Sequence, residues 1–310
     1  MTYEELTAQL GWAPAIESER PGDYPRIVVG GMGGSALPAH AARFLDPKLP
    51  VHSHRDYDLP AGASADALYV AISYSGNTAE TLSFAHAAHE KGFPLAAIAS
   101  GGELASFAKD NAVPFVRVPA GLPPRDALFY LLHALYAFIG EEELRSALGA
   151  VAFDPGAAHA EADDLAGALR DTLPSFYASR RNGFLAEMAK ISFNETAKMP
   201  ASANVFPELN HNEMQSFDTS APENVTALAR FVLLRDATDD SRIARRMDVF
   251  TEVMRTRGRV VRDLPVGGAS RAETLVRGWY VAYLAALALA NVRGIDPDAV
   301  PLVEDFKKRL

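Results

Sequence analysis

Short apolar runs alternate with stretches of helical periodicity along the first half of the chain. The apolar runs predict strands at residues 26–30, 51–55, 68–72, 95–99 and 115–118. Apolar positions at helical spacing predict helices at residues 36–45, 79–91, 102–110 and 126–139. Strands that alternate with helices in this way are typical of a parallel sheet with helices on its faces, so we expect a five-stranded doubly wound unit.

The second half shows the same alternation in a less regular form. Its predicted elements are helices at 157–171, 242–257, 271–292 and 299–309, and strands at 184–188, 225–234 and 259–263. Between the halves, Asp154-Pro155-Gly156 is a typical break signal. We therefore expect an α/β protein of two domains, residues 1–153 and 154–310, each a parallel sheet flanked by helices.

Composition and charge narrow the classes of function. The 39 acidic residues against 30 basic ones give a net charge of −9, which argues against nucleic acid or an anionic membrane as a partner. The chain has no cysteine, so disulfides and thiolate metal sites are excluded. An acidic start without an apolar run predicts a cytoplasmic protein. The apolar stretch 278–292 is shorter than the ~20 residues of a membrane span and predicts a buried core helix.

A glycine-rich segment, Gly30-Gly31-Met32-Gly33-Gly34-Ser35, lies between a predicted strand and a predicted helix. Backbone N–H groups there and the helix N-terminus could bind an anion. Gly31, Gly33 and Ala36 also have the spacing of a dinucleotide-binding fingerprint, but only Asp56 could serve as its acidic residue. A tight turn without a ligand is the third interpretation, and the spacing alone leaves all three open.

A second segment, Ser73-Tyr74-Ser75-Gly76-Asn77-Thr78, follows the predicted strand 68–72 and precedes a helix. Its hydroxyls and N–H groups converge at the positive end of that helix, which suits a phosphate monoester. The simpler interpretation is that Thr78 only caps the helix, with Glu80 favouring the first turn. A cap alone does not account for Ser73 and Ser75.

Two further segments carry candidate catalytic residues, Asn194-Glu195 with Lys198, and Glu208-Leu209-Asn210-His211-Asn212-Glu213. An aldose–ketose isomerisation needs a carboxylate base and a group that handles the ring oxygen, and Glu and His are apt residue types. A Glu near a Lys is also common as a solvated pair, and a single His in a polar loop is often structural. The other histidines form no metal-binding pattern, so no metal is expected.

Taken together, these segments resemble the bifunctional phosphoglucose/phosphomannose isomerases, which are built from sugar-isomerase (SIS) domains. The matching motifs occur in the same order along the chain: Gly31-Met32-Gly33-Gly34-Ser35, Ser73-Tyr74-Ser75-Gly76-Asn77-Thr78, Pro124-Arg125, Asn194-Glu195-x-x-Lys198, Glu208-Leu209-Asn210-His211-Asn212-Glu213, Gly294-Ile295-Asp296-Pro297 and Lys307-x-x-Leu310. The resemblance implies two SIS-type domains and interconversion of glucose 6-phosphate and fructose 6-phosphate through a cis-enediol, without a cofactor.

The resemblance also implies roles for individual residues. Glu195 corresponds to the base, His211 to the group that assists ring opening, Arg125 to the cation that stabilises the enediolate, and Lys307 to a lysine near the ring oxygen. The residues that correspond to phosphate ligands are Gly34, Ser35, Ser73, Ser75 and Thr78. The family is dimeric, and its His-bearing loop enters the partner's active site, so a homodimer with shared sites is expected.

Two departures from the family pattern are visible, and one substrate stays open. The glycine segment continues Ala36-Leu37-Pro38-Ala39-His40 where relatives more often have further glycines, and Thr196 replaces a usual Asn. The motifs do not locate the small hydroxyl residue that makes room for mannose 6-phosphate, so that substrate remains open. A noncatalytic sugar-phosphate-binding regulator, or an isomerase for another sugar phosphate, is the alternative.

Overall fold

The computed structural model describes residues 1–218, 220 and 223–309. The chain forms two compact units, Met1–Val151 and Ala152–Leu310, called here the N-terminal and C-terminal units. The expected domain boundary after residue 153 lies in the same short segment between two helices, of which one ends at Gly149 and the next begins at Pro155.

The N-terminal unit is a six-stranded sheet with helices. Its strands are β1 (Ile16–Glu17), β2 (Arg26–Gly30), β3 (Val51–His54), β4 (Ala67–Ile72), β5 (Leu95–Ala99) and β6 (Phe115–Arg117). Its helices are α1 (Tyr3–Leu10), α2 (Leu37–Leu45), α3 (Ala79–Glu90), α4 (Gly102–Asp110), α5 (Leu128–Ile139) and α6 (Glu142–Gly149). The strand order is β1-β6-β5-β4-β2-β3, and only the β1–β6 pair is antiparallel. The five predicted strands are confirmed, whereas β1, α1 and α6 were not predicted.

Strand order determines where a ligand can bind in the N-terminal unit. The chain runs from β2 to β3 on one side of β2 and then places β4 on the other side. In a doubly wound sheet, the crevice at the carboxyl ends of the strands where the order reverses is the usual ligand site. The glycine-rich segment follows β2 and the Ser73–Thr78 segment follows β4, so both segments lie at this reversal point.

The C-terminal unit has a smaller sheet of four parallel strands. The strands are β7 (Leu173–Ser179), β8 (Ser202–Phe206), β9 (Ala229–Arg235) and β10 (Val260–Pro265), in the order β10-β9-β7-β8. The helices are α7 (Pro155–Leu169), α8 (Gly183–Glu195), α9 (Glu223–Thr226), α10 (Ser241–Thr256), α11 (Arg271–Val292) and α12 (Pro301–Lys307). The expected α/β class with helix-flanked parallel sheets is confirmed in both units.

One predicted strand of the C-terminal unit is wrong. Residues 184–188 belong to the first half of α8, whose buried positions Leu185, Met188, Ala189, Ser192 and Phe193 recur at helical spacing. The short run Phe-Leu-Ala-Glu-Met at 184–188 has too few residues to distinguish a helix from a strand by its pattern. Strands β7 and β8 were not predicted, and the strand predicted at 225–234 begins only at residue 229, after α9.

Helix α11 has the length and hydropathy of a membrane span by composition alone. It covers 22 residues with a mean hydropathy of 1.4 over its most apolar window, so it is longer than the apolar stretch 278–292. Most of that window, 72%, is buried inside the protein. Trp279 and Tyr280 are among the largest fully buried side chains, and α11 forms the core of its unit, as the sequence predicts.

Candidate active site

The glycine-rich segment packs directly against the segment that carries Arg125. A Cβ atom on Gly34 would lie 2.6 Å from both the backbone N of Arg125 and the carbonyl O of Pro124. Real Cβ contacts are essentially never this short, so only glycine permits the approach. The structure therefore brings together two sequence motifs that lie about 90 residues apart in the chain.

Ser73 shapes the turn after β4 from the inside. Its side chain is fully buried, its hydroxyl donates to Thr78 Oγ1 at 2.9 Å, and its Oγ accepts the N–H of Gly76 at 3.1 Å. Thr78 occupies the N-cap position of α3, but its side chain makes no capping hydrogen bond. The interpretation of Thr78 as only a helix cap is therefore wrong, and the hydroxyl belongs to the turn itself.

Ser75 and Asn77 lie on the exposed side of the same turn. The N–H of Asn77 donates to Ser75 Oγ at 3.3 Å, and Asn77 Oδ1 accepts the N–H of Glu103 at 3.0 Å. The second bond ties the turn to the start of α4. The exposed hydroxyl of Ser75 and the uncapped first turn of α3 give this face the donors and the positive helix end that an anion requires.

Tyr74 connects the Ser73–Thr78 turn with two segments that are distant in the sequence, at Ser35 and at residues 119–122. Its N–H donates to Ser35 Oγ at 2.9 Å, and its hydroxyl donates to Pro119 O at 2.9 Å and accepts the N–H of Leu122 at 3.0 Å. Burial raises the pKa of Tyr74, so the phenol remains a donor at physiological pH. The sequence feature that could have predicted this role is a large aromatic residue in a turn whose other residues are small and polar.

Arg125 is a buried cation beside these turns. Its side chain is 6% exposed, and its Nε lies 3.8 Å from Oδ1 of the equally buried Asp126. The backbone of Asp126 is held in turn by Gln9 of α1, whose Nε2 donates to the carbonyl O at 2.7 Å. A planar guanidinium cation fixed in this way can stabilise a developing oxyanion.

In the C-terminal unit, Glu195 is the last residue of α8 and is half-buried. The end of this helix is fixed by Lys198, whose Nζ donates to the carbonyl of Glu195 and, at 3.0 Å, to that of Pro297. Asn194 Oδ1 accepts the N–H of Ala201 at 2.9 Å. The backbone around the candidate base is therefore tightly held on both sides.

His211 and Lys307 lie on other elements of the same unit. His211 ends a short 3-10 turn, Glu208–His211, and its side chain is exposed, whereas the neighbouring Leu209 is fully buried. Lys307 is the exposed last residue of α12. The three candidate residues of this unit thus come from a helix end, a turn and a second helix.

A polar cluster that was not predicted from the sequence lies at the reversal point of the second sheet, between β7 and β9. Asn182 Nδ2 donates to Asp236 Oδ2 at 3.0 Å and to Asp239 Oδ1 at 3.2 Å, while Asn182 Oδ1 accepts Arg271 Nη1 at 2.8 Å. Ser179 donates to Asp239 at 2.6 Å. The run Asp236-Ala237-Thr238-Asp239-Asp240 at the end of a strand was the available signal.

Two carboxylates make this second reversal point unsuited to phosphate. Burial alone would raise the pKa of Asp236, but hydrogen bonds from Thr238 and Asn182 hold it below its usual range. Burial raises the pKa of Asp239. Burial and the nearby Arg181 lower the pKa of Arg271 to about 10. Arg271 donates to Asn182 and lies 3.7 Å from Asp236. The charged and polar groups of this cluster therefore bind one another.

Metal ligands are not assembled within residues 1–218, 220 and 223–309. No group of three or more His, Asp or Glu side chains there is placed to hold an ion. His86 and His89, which share a helical face in the sequence, are exposed and pack edge-on against Phe107.

Comparisons with known proteins place the chain in a family. Residues 158–310 match the family model described as the bacterial phospho-glucose isomerase C-terminal SIS domain. A bifunctional phosphoglucose/phosphomannose isomerase from Caldicellulosiruptor bescii is 33% identical over 93% of this chain and 90% of its own length. The protein of the same name from Thermoplasma volcanium is 32% identical over 99% and 98%.

A solved structure shares the fold. The crystal structure of a hypothetical protein from Thermus thermophilus superimposes with a TM-score of 0.71 at 18% identity, over 92% of this chain and 82% of that one. Identity at that level supports the fold alone, whereas the two relatives above are 32–33% identical over nearly the whole chain. The chain therefore belongs to the bifunctional phosphoglucose/phosphomannose isomerase family.

Proposed function

We propose that this protein is a sugar-phosphate isomerase that interconverts glucose 6-phosphate and fructose 6-phosphate, and also mannose 6-phosphate, through a cis-enediol. The observation that carries the proposal is the turn after β4. There, the exposed hydroxyl of Ser75, the hydroxyl of Thr78 and the uncapped first turn of α3 supply donors for a phosphate, while the buried Ser73 donates to Thr78 and shapes the turn. The relatives' names supply the reaction.

The phosphate group is assigned to the N-terminal unit. Gly34, Ser35, Ser73, Ser75 and Thr78 are the proposed ligands, and two of them act mainly by shaping the site. Ser35 Oγ is engaged by the N–H of Tyr74, and Ser73 is fully buried. Ser75 is the exposed hydroxyl and is expected to contact the phosphate directly.

The chemistry is assigned to four side chains. Glu195 takes the proton from one carbon and returns it to the neighbouring carbon, which needs one carboxylate and no metal or cofactor. Arg125 stabilises the enediolate oxygen with its permanent charge. His211 moves the proton that opens and closes the sugar ring, and Lys307 lies near the ring oxygen.

The assembly is proposed to be a cytoplasmic homodimer with shared sites, without nucleic-acid or membrane partners. The exposure of His211 supports this assignment, because an imidazole at the tip of a turn is available to a second subunit. The net charge of −9 makes polyanions and anionic membranes poor partners.

Proton-exchange NMR in D2O tests the function. Glucose 6-phosphate, fructose 6-phosphate and mannose 6-phosphate are incubated separately with the protein, and the proton on C2 of the two aldoses, the protons on C1 of fructose 6-phosphate and the product signals are followed. We expect a common equilibrium mixture from all three, with deuterium at C2 of the aldoses and at C1 of the ketose. Binding without exchange would favour the noncatalytic regulator, and exchange with only other sugar phosphates would favour an isomerase of different specificity.

A further inference from the structure

The loop that carries His211 is held to its unit on both sides of the histidine. We call residues 207–217 the His211 loop. Leu209 is fully buried before the histidine, and Met214 and Phe217 pack against the aromatic core of the unit after it. His211 itself is exposed between these anchors. Its direction therefore depends on how the loop is fastened.

Glu213 provides the polar attachment of this loop. Its Oε1 accepts the hydroxyl of Tyr177 at 2.5 Å, and its Oε2 accepts Nδ2 of Asn204. Tyr177 on β7 and Asn204 on β8 are partners in the parallel register, so their side chains stand next to each other. The two carboxylate oxygens of Glu213 thus bind two neighbouring strands at once.

Both donor groups are also held in place by contacts with residues other than Glu213. Tyr177 is 1% exposed and packs edge-on against Phe206 and Phe250. Burial and the neighbouring Glu213 raise the pKa of Tyr177, so its phenol stays protonated and donates. Asn204 Oδ1 accepts the N–H of Val205 at 2.8 Å, which turns its NH2 group toward Glu213.

This geometry suits a carboxylate, because each oxygen of Glu213 accepts a hydrogen bond from a donor. An amide has only one acceptor oxygen, so it would either place its NH2 group against the NH2 group of Asn204 or donate to the phenol oxygen of Tyr177 and displace the Tyr177 O–H from its present bond. Across the described residues, no Lys, Arg or His forms an ion pair with Glu213. A half-buried carboxyl group without a cationic partner is consistent with a residue whose role is to specify a conformation.

We propose that Glu213 is the positioning residue for His211: it fastens the His211 loop to Tyr177 and Asn204 and so sets the direction of the imidazole. The claim that this direction matters for catalysis rests on the proposed function. The claim that Glu213 sets the direction of the imidazole concerns only the structure of the C-terminal unit.

The first test compares Glu213→Gln with the double variant Glu213→Gln, Asn204→Asp. In the double variant, the new carboxylate accepts the introduced amide and still accepts the N–H of Val205, so the hydrogen bonds are restored with the charge moved. We expect Glu213→Gln to lower kcat for glucose 6-phosphate about 10- to 100-fold with little change in KM. The double variant should regain most of that loss, and a double variant as slow as the single one would overturn the proposal.

The second test measures the NMR signal of the His211 imidazole in the absence of substrate. In 1H–13C spectra, the His211 ring signal is assigned by its disappearance in His211→Ala. It should shift in Glu213→Gln and return in the double variant, and an unmoved signal would overturn the proposal. If the wild-type protein isomerised no hexose phosphate, the proposed function would fail, and this signal would still decide the role of Glu213.

Two controls separate positioning from stability. Val261→Ala removes buried volume from the same aromatic core, so it should lower the unfolding midpoint while kcat stays within twofold and the His211 signal stays unmoved. In a His211→Ala background, Glu213→Gln should lower kcat less than twofold further, because Glu213 acts through the imidazole. Losses that multiply, or a control that is equally slow, would argue for a general structural role.

Discussion

Ser73 and Ser75 are the same residue type in one turn, yet their surroundings give them different tasks. Ser73 is fully buried and uses its hydroxyl for Thr78 Oγ1 and for the N–H of Gly76. Ser75 is exposed, and its Oγ accepts only a long bond of 3.3 Å from Asn77. The two serines of one motif therefore have different roles: Ser73 stabilises the turn, and Ser75 is available to bind a ligand.

Substituting these two serines separately should distinguish the two tasks. Ser73→Ala leaves a buried N–H with a weaker partner and is expected to lower the free energy of unfolding by about 1–3 kcal/mol. Ser75→Ala should leave stability unchanged and raise KM for glucose 6-phosphate about tenfold or more, because a bond to a charged phosphate is lost. Chemical denaturation and steady-state kinetics measure both, and a Ser75→Ala enzyme with normal KM would contradict the phosphate assignment.

Glu195 carries the most direct prediction about chemistry. Glu195→Gln keeps the size and polarity of the side chain at the end of α8 but removes the base, so kcat should fall about 10²- to 10⁴-fold. Substrate affinity, measured by calorimetry, should remain near that of the wild-type protein. Glu187→Gln, on the same helix and in a partly exposed pair with Lys190 at 3.1 Å, is the matched control. Retained exchange of the C2 proton in Glu195→Gln would show that another group is the base.

At the scale of elements, α5 shows how a buried polar residue can affect stability. Ten of its positions are buried, His133 among them at 2% exposure. Burial, with a contribution from Arg145, lowers the pKa of His133 from 6.5 to about 4. The imidazole is therefore neutral in the folded protein at a pH where it is already protonated in the unfolded chain.

This difference predicts a specific pH dependence of stability. Between pH 6.5 and about 4 the unfolded chain binds a proton that the folded protein does not, so stability falls as pH is lowered, by roughly 3 kcal/mol in total. His133→Gln should remove this part of the slope, as measured by urea denaturation at pH 7.5, 5.5 and 4.5. The exposed His86→Gln should keep the wild-type slope, and equal slopes in His133→Gln and wild type would refute the account.

The elements that the sequence predicts well are those whose pattern is unambiguous. Strands β2 to β6 are apolar runs between clear breaks, and α11 is a long apolar helix, so local pattern suffices for them. The run at 184–188 is too short to separate a helix from a strand. β8 is half-exposed, with the polar sequence Ser-Ala-Asn at its start, and it is a strand because it pairs with β7.

The candidate site also combines features that local sequence predicts with features that depend on long-range contacts. The hydroxyl residues of the phosphate turn can be recognised from their type and position, whereas the role of Glu195 is implied only by the resemblance to the isomerase family. The contacts that hold the turns together cannot be predicted in this way, because Tyr74 hydrogen-bonds to residues 119 and 122, and Gly34 packs against Arg125 in a distant segment of the chain. Long-range contacts of this kind leave no local periodicity in the sequence.

At the scale of the whole chain, two units of related topology have different chemistry at the same place. Strands β2, β3 and β4 of the N-terminal unit are arranged in the order β4-β2-β3, and strands β7, β8 and β9 of the C-terminal unit are arranged in the equivalent order β9-β7-β8. At the reversal point, the N-terminal unit has glycines and hydroxyls, whereas the C-terminal unit has Asp236 and Asp239 bound to Asn182. The reversal point of the N-terminal unit is thus suited to a phosphate, whereas the proposed catalytic residues of the C-terminal unit, Glu195 and His211, lie on elements beside its sheet.

A shared active site between subunits would make this division of labour a property of the dimer. His211 is exposed at the end of its turn, and the family resemblance implies that the loop bearing it enters the partner subunit, so we expect His211 to act in trans to Glu195. The prediction can be tested by mixing Glu195→Gln chains with His211→Ala chains, each nearly inactive alone, under conditions in which subunits exchange.

In a mixed dimer of these chains, one site receives both substitutions and the other receives an intact Glu195 and an intact His211. Random exchange makes half of the dimers mixed, so about a quarter of wild-type activity should return. If both residues of a site came from one chain, every site would carry a substitution and no activity could return. Native mass spectrometry establishes that exchange has occurred, and mixed dimers without activity would then eliminate the shared site while leaving the proposed reaction intact.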